Sequence, residues 1–122
     1  MEQETILNTI KKMLGLEADY TPFDVEIKIL INAAFFTLKQ LGVGPEEGFT
    51  INDGTETFDQ FLDDPVTISA VKDYIYLKVK TTWDANSIGS SLLSAYQEQI
   101  RELEHRLILD METECFRKKS GD

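Results

Sequence analysis

Residues 88–110 read IGSSLLSAYQEQIRELEHRLILD, and this stretch decides the fold. Leu93, Tyr96, Ile100, Leu103 and Leu107 recur at spacings of 3, 4, 3 and 4, which is a heptad seam. Gln97, Glu98, Arg101, Glu102, Glu104, His105 and Arg106 fill the outer positions. The pattern predicts a long amphipathic last helix from about Ile88 to at least Asp110. Such a helix needs other helices to cover its seam, so an all-α bundle follows. Beyond Asp110 the pattern weakens, and Glu112 to Asp122 reads as a frayed helix end or mobile tail, giving a helical domain over 1–110 and a tail over 111–122.

Working toward the N-terminus, Asp64-Pro65 is an acidic N-cap followed by proline. From it Ile68, Val71, Ile75, Val79 and Trp83 face one way, with Tyr74 and Leu77 alongside, until Asp84-Ala85-Asn86-Ser87 interrupts. A second helix is expected from Thr21-Pro22, with Thr21 as N-cap, to Leu41 before Gly42. Its apolar positions cover more than one stripe, so it reads as the central helix. A first helix spans about Glu4 to Leu14, with Gly15 as its left-handed stop. Between the second helix and Asp64 lies a segment that cannot be helical, Val43 to Thr57, with Gly44-Pro45, Gly48 and Asn52-Asp53-Gly54. Phe49-Thr50-Ile51 fits a short strand or extended arm, and Asn52-Asp53-Gly54 is a turn signal that would close a short hairpin. Thr57 then caps a short helical turn, with Gln60 in the capping-box position. The architecture is therefore a small bundle of four main helices, with one long extended loop between the second and third and a long C-terminal helix.

The chain has 122 residues, enough for one modest core, and is 42% hydrophobic, too apolar for disorder. Acids outnumber bases 22 to 12, for a net charge of −10. That excludes a protein that grips nucleic acid through its bulk surface. The charge is uneven: residues 1–63 hold 12 acids and 4 bases, and residues 64–122 hold 10 acids and 8 bases. One cysteine, Cys115, excludes an internal disulfide and a cysteine-rich zinc site; one histidine, His105, excludes a multi-histidine centre. No apolar run approaches the ~18 residues that span a bilayer. The acidic start Met1-Glu2-Gln3-Glu4-Thr5 is no signal peptide, which predicts a protein made and used in a reducing, soluble compartment.

Catalytic constellations are weak. Glu98 with Glu102, and Asp110 with Glu114, are carboxylates one helical turn apart, but each lies on a polar face beside Arg101 or Arg106 and reads as a solvated charged surface. Asp53, Asp59 and Asp63 do not have EF-hand spacing. His105 reads as a structural or interfacial histidine, and Gly42-Val43-Gly44 as a helix stop and turn that lacks the lysine of a phosphate loop. No enzyme and no cofactor is expected. The distal apolar residues Ile108, Leu109, Met111 and Phe116 lack a partner stripe, and the loop from Val43 is long for a helix-to-helix link. Both features point to assembly.

Several segments resemble one family. Ile31 to Pro45 (INAAFFTLKQLGVGP) is similar to the second helix and following loop of phage head–tail connector, or head-completion, proteins from long-tailed phages and prophages of Gram-positive bacteria. Phe49 to Gly54 with Thr57-Phe58 resembles the family's loop, Ala70 to Lys80 its next helix, and Gln99 to Leu107 its terminal helix. The likeness runs from about Glu4 to Leu109; it departs at His105, where an aromatic residue is expected, and at Asp84 to Ser87, where a proline-containing turn is expected. The resemblance implies a virion subunit that forms a ring, commonly dodecameric, beneath the portal protein after assembly in the host cytoplasm. The ring would extend the channel through which double-stranded DNA passes without specific binding, and would dock the next connector, stopper or tail protein. By position, Ile108, Met111 and Phe116 become apolar portal anchors, and Arg117, Lys118 and Lys119 partners of portal carboxylates. Phe49, Ile51, Asn52 and Asp53 become an inter-subunit loop. The alternative is a small acidic phage or prophage regulator that binds a host protein, imitating DNA charge.

Overall fold

The computed structural model describes residues 5–84 and 86–120, apart from the side chains of 113–120. Glu4 and Ala85, which the expected first helix and the expected interruption include, lie outside the described residues. Five helices follow in order: α1 Ile6–Met13, α2 Asp24–Gln40, α3 Phe58–Phe61, α4 Pro65–Trp83 and α5 Ser90–Ser120. The expected all-α bundle is found, with α3 as the short capped turn.

Local signals set several ends. The Asp64 carboxylate accepts from the Thr67 N–H at 3.2 Å and from its hydroxyl at 2.6 Å, with Pro65 in the first turn, so α4 starts where its cap predicts. At α3 the expected capping box forms, with the Gln60 side chain accepting from the Thr57 N–H at 3.0 Å. Thr5 caps α1 through the Asn8 N–H.

Two expectations are corrected. Thr21 does not cap α2: the helix begins three residues later, and Thr21 instead accepts the Asp24 N–H through its carbonyl in a turn. Tertiary contacts set this start. Phe23 leaves the helical path to pack edge-on against Trp83, with ring centroids 4.9 Å apart. Asp24 comes within 2.8 Å of the Lys11 ammonium, which is fully buried and also donates to the Ala18 carbonyl at 2.9 Å. The second correction concerns the centre of the bundle. It is α4, which packs on α2 at one side and on α5 at the other, with α1 against both α2 and α4. Tyr74, Ile75, Val71 and Val79 of α4 are fully buried.

Among the described residues no strand forms. The extended arm at 49–51 pairs with a side chain in place of a strand. Asn32 of α2 accepts the Ile51 N–H at 2.7 Å and donates to the Ile51 carbonyl at 2.9 Å, copying the two bonds of a β-ladder rung. Gly44, at φ +91°, lets the chain pass so close to Phe61 that a Cβ would stand 2.3 Å from its ring.

Candidate functional site

The loop from Val43 to Thr57 is fastened inward. Ile51 is 2% exposed and joins the core. Phe49 completes an aromatic triad, 5.1 Å from Phe35 and 5.4 Å from Phe61 by ring centroids. Glu56 accepts the Asn52 and Gly54 N–H groups with its two carboxylate oxygens. The Thr55 hydroxyl and N–H both donate to Asp53, which hold its carboxyl below the usual carboxylate range. Of the four loop residues singled out in the sequence, two therefore serve the protein's own core, and Asn52 and Asp53 make its exposed tip.

The long helix α5 lies antiparallel to α4. Val66 stands beside Leu109 at one end of the pair, and Tyr76 beside Tyr96 and Gln99 at the other. The heptad seam faces the bundle as expected, with Ile100 and Leu107 buried and Tyr96 and Leu103 packed on the core. A polar tie secures the pair: the buried Tyr74 hydroxyl donates to the Glu104 carboxylate at 2.8 Å. Burial, and then that hydrogen bond, push the Tyr74 phenol well above its ordinary range, so it stays neutral. Because α4 begins beside Leu109 and Asp110, the ten residues that follow carry α5 about 15 Å past its start. Met111 still packs on the core and Ile108 is half-buried, whereas Leu109 is 47% exposed. Phe116, Arg117, Lys118 and Lys119 fall on the last turns of α5, and their side chains lie outside the described residues. His105 is exposed.

The sequence reading missed the outer side of α2. Val25, Ile29 and Phe36 are 66%, 62% and 60% exposed. With the exposed Ala33 they form one stripe at spacings of 4, 4 and 3. Ile27, Ile31, Ala34, Phe35 and Leu38 are buried on the opposite side. The expectation of a central helix packed on several sides therefore fails here, because this apolar stripe faces outward. Its spacing was the available signal, but a helix with two apolar stripes reads the same whether both are buried or one is bare. Lys11 carried a signal too, since it sits at helical spacing between Leu7 and Leu14 on the apolar side of α1.

A second apolar surface runs along the α4–α5 pair. Two open grooves, of about 640 and 480 Å³, lie along it and share Asp73, Leu103 and Arg106 in their linings. Val66, Ala70, Leu103 and Leu109 supply the greasy floor and rim of the first, and Met13 of α1 closes the far end of the second. Among the described residues no three histidine, cysteine, aspartate or glutamate side chains converge to hold a metal ion, and no helix is long and apolar enough to cross a membrane. Two surface carboxylates make local ion pairs, Glu98 with Arg101 and Asp84 with Lys80. The second of these raises the Lys80 ammonium above its ordinary range.

Bare apolar surface on two parts of one small helical subunit is of the kind that suits packing against other proteins. The phage connector protein family model matches residues 6–114, nearly the whole chain, and the chain belongs to that family. It is a phage connector-type structural protein. No curated protein and no solved structure matches it.

Proposed function

We propose that the chain is a head–tail connector subunit that forms a ring beneath the portal, extends the DNA channel and presents a platform for the next connector or tail protein. The observation that carries this reading is the pairing of family membership with apolar surface left bare on both α2 and the α4–α5 pair. A chain that worked alone would gain by covering or replacing such surface. The net charge of −10 per subunit suits a lumen that DNA crosses without adhering, because phosphates are repelled from acidic walls.

The end of α5 is the proposed portal contact. Ile108, Met111 and Phe116 act as apolar anchors, and Arg117, Lys118 and Lys119 pair with portal carboxylates. A helix that outruns its neighbour by about 15 Å can reach a second protein while its base stays packed. At the other connection, the loop tip at Asn52 and Asp53 touches the adjacent subunit.

Co-sedimentation with the cognate portal tests this reading. The full chain is expected to travel with the portal, and a chain ending at Asp110 to remain in the supernatant. Equal binding by both would remove the portal role of the helix end. Absence of binding by either would remove the connector role.

A further inference from the structure

We propose that α5 is a latched arm, which swings away from α4 as one unit about the link at 86–89 while residues 5–84 stay folded. The motion belongs to the single subunit and goes beyond the connector reading.

The buried apolar side chains divide at the link. Among the described residues, those from Ile6 to Val79 come from the first four helices and the loop, and α5 adds Ile100 and Leu107 alone. Tyr96, Leu103 and Met111 of the seam stay partly exposed. The first turns of α5 contribute little: Leu92 is half exposed, and Ser90, Ser91, Ser94 and Ala95 are exposed.

Residues 5–84 close on themselves. Each of α1, α2 and α4 packs on the other two. Lys11 of α1 pairs with Asp24 of α2, Asn32 of α2 holds Ile51, and the Ile6 N–H donates to the Glu56 carbonyl. None of these ties passes through α5. The long helix packs on α4 instead, with Met13 of α1 bordering the groove at one end. Its latch is the Tyr74 hydroxyl on the Glu104 carboxylate.

The link suits a hinge. Ser87 and Ile88 return their N–H groups to the Asp84 carbonyl, so these bonds are local. Asn86, Ser87 and Gly89 are exposed, and a Cβ at Gly89 would meet nothing within 4 Å. Opening returns Ile100, Leu107 and the Tyr74 phenol to water. Complete unfolding returns those and also the core of α1 and α2, with Ile10, Ile27, Ile31 and Phe35. Apolar burial is the main term that holds a fold, so the first event costs less than the second. The end of α5 thereby gains freedom to reorient while the rest of the subunit keeps its shape.

Hydrogen exchange of the full chain, dilute and without a partner, tests the arm. Amides from Ile100 to Leu107 are expected to share one level of protection, at least tenfold below that of amides from Ile31 to Leu38. Two substitutions separate the events. Ile31→Val weakens the bundle equally in the latched and the open state, so it should speed exchange in α2 about fivefold and leave α5 within about twofold. Tyr74→Phe removes the latch and should speed exchange in α5 about fivefold. Equal protection of the two helices, acceleration of both by Ile31→Val, protection that falls gradually toward Ser120 as in a fraying end, or no response to Tyr74→Phe would each overturn the arm. None of these results bears on portal binding, which is read by co-sedimentation.

Discussion

The loop at 43–57 and the outer side of α2 reverse the usual expectation. The loop is glycine-rich and irregular, yet Phe49 and Ile51 pack against the bundle and the Glu56 carbonyl accepts the Ile6 N–H of α1. The stripe Val25, Ile29 and Phe36 lies on the most regular kind of backbone, yet leaves large apolar groups in water. Irregularity alone therefore does not mark the surface that meets a partner; uncovered apolar area does. Both regions draw on α2, because Asn32, which clamps the loop, neighbours Ala33 of the stripe. One helix holds its own chain with one face and offers the next face outward.

Mutations inside the fastened loop should cost stability, in an order set by what they leave exposed or unpaired. Ile51→Ala removes buried atoms from the core and should lower unfolding free energy by about 3 kcal/mol, read by urea denaturation. Asn32→Leu should cost about 2 kcal/mol in the same assay. It strips the Ile51 N–H and carbonyl of their partner and leaves both to find water at the edge of the core. If either change left stability untouched, the loop would be no better anchored than an ordinary link, and the contrast with α2 would collapse.

A smaller effect is expected at the α4–α5 junction. Tyr74→Phe deletes the bond to Glu104 and should cost about 1 kcal/mol at neutral pH. The sign of its pH dependence follows from the raised phenol. In the folded chain Tyr74 keeps its proton, while in the unfolded chain it releases it near pH 10. Its contribution is therefore complete below pH 10 and is lost as pH rises beyond that value. Thermal melts between pH 9 and 11 should fall more steeply for the natural chain than for Tyr74→Phe. Parallel curves would show that the phenol is not held neutral.

Sequence made the short-range features legible. The Asp64-Pro65 cap, the Thr57 and Gln60 pair, and the heptad seam of α5 each depend on residues within a turn or two of one another. What sequence concealed was long-range. The start of α2 depends on Lys11 and Trp83, thirteen residues before Asp24 and sixty after Phe23, and no local rule competes with those contacts. The central position of α4 was assigned to α2 for a related reason. Periodicity counts apolar stripes and says nothing of which neighbours cover them. The resemblance to phage connectors, read from about Glu4 to Leu109, agrees with the family match over residues 6–114.

The smallest expected effect on stability is the one that separates the two regions most sharply. Ile29→Ser and Phe36→Ser each replace a side chain that is already about 60% exposed. Little apolar area returns to water on unfolding, so each should change the unfolding free energy by no more than about 0.5 kcal/mol in the isolated subunit. Neither substitution removes a hydrogen bond or opens a cavity of the kind Ile51→Ala leaves. The same substitutions should nevertheless weaken association, because the area they forfeit is buried only when a neighbour covers it. Urea denaturation of dilute subunit, set beside sedimentation of the concentrated protein, separates the two quantities. A loss of stability comparable to that of Asn32→Leu would mean that the stripe already packs within its own subunit and is not free to be offered. Unchanged stability with unchanged association would mean that the bare face has no role in assembly.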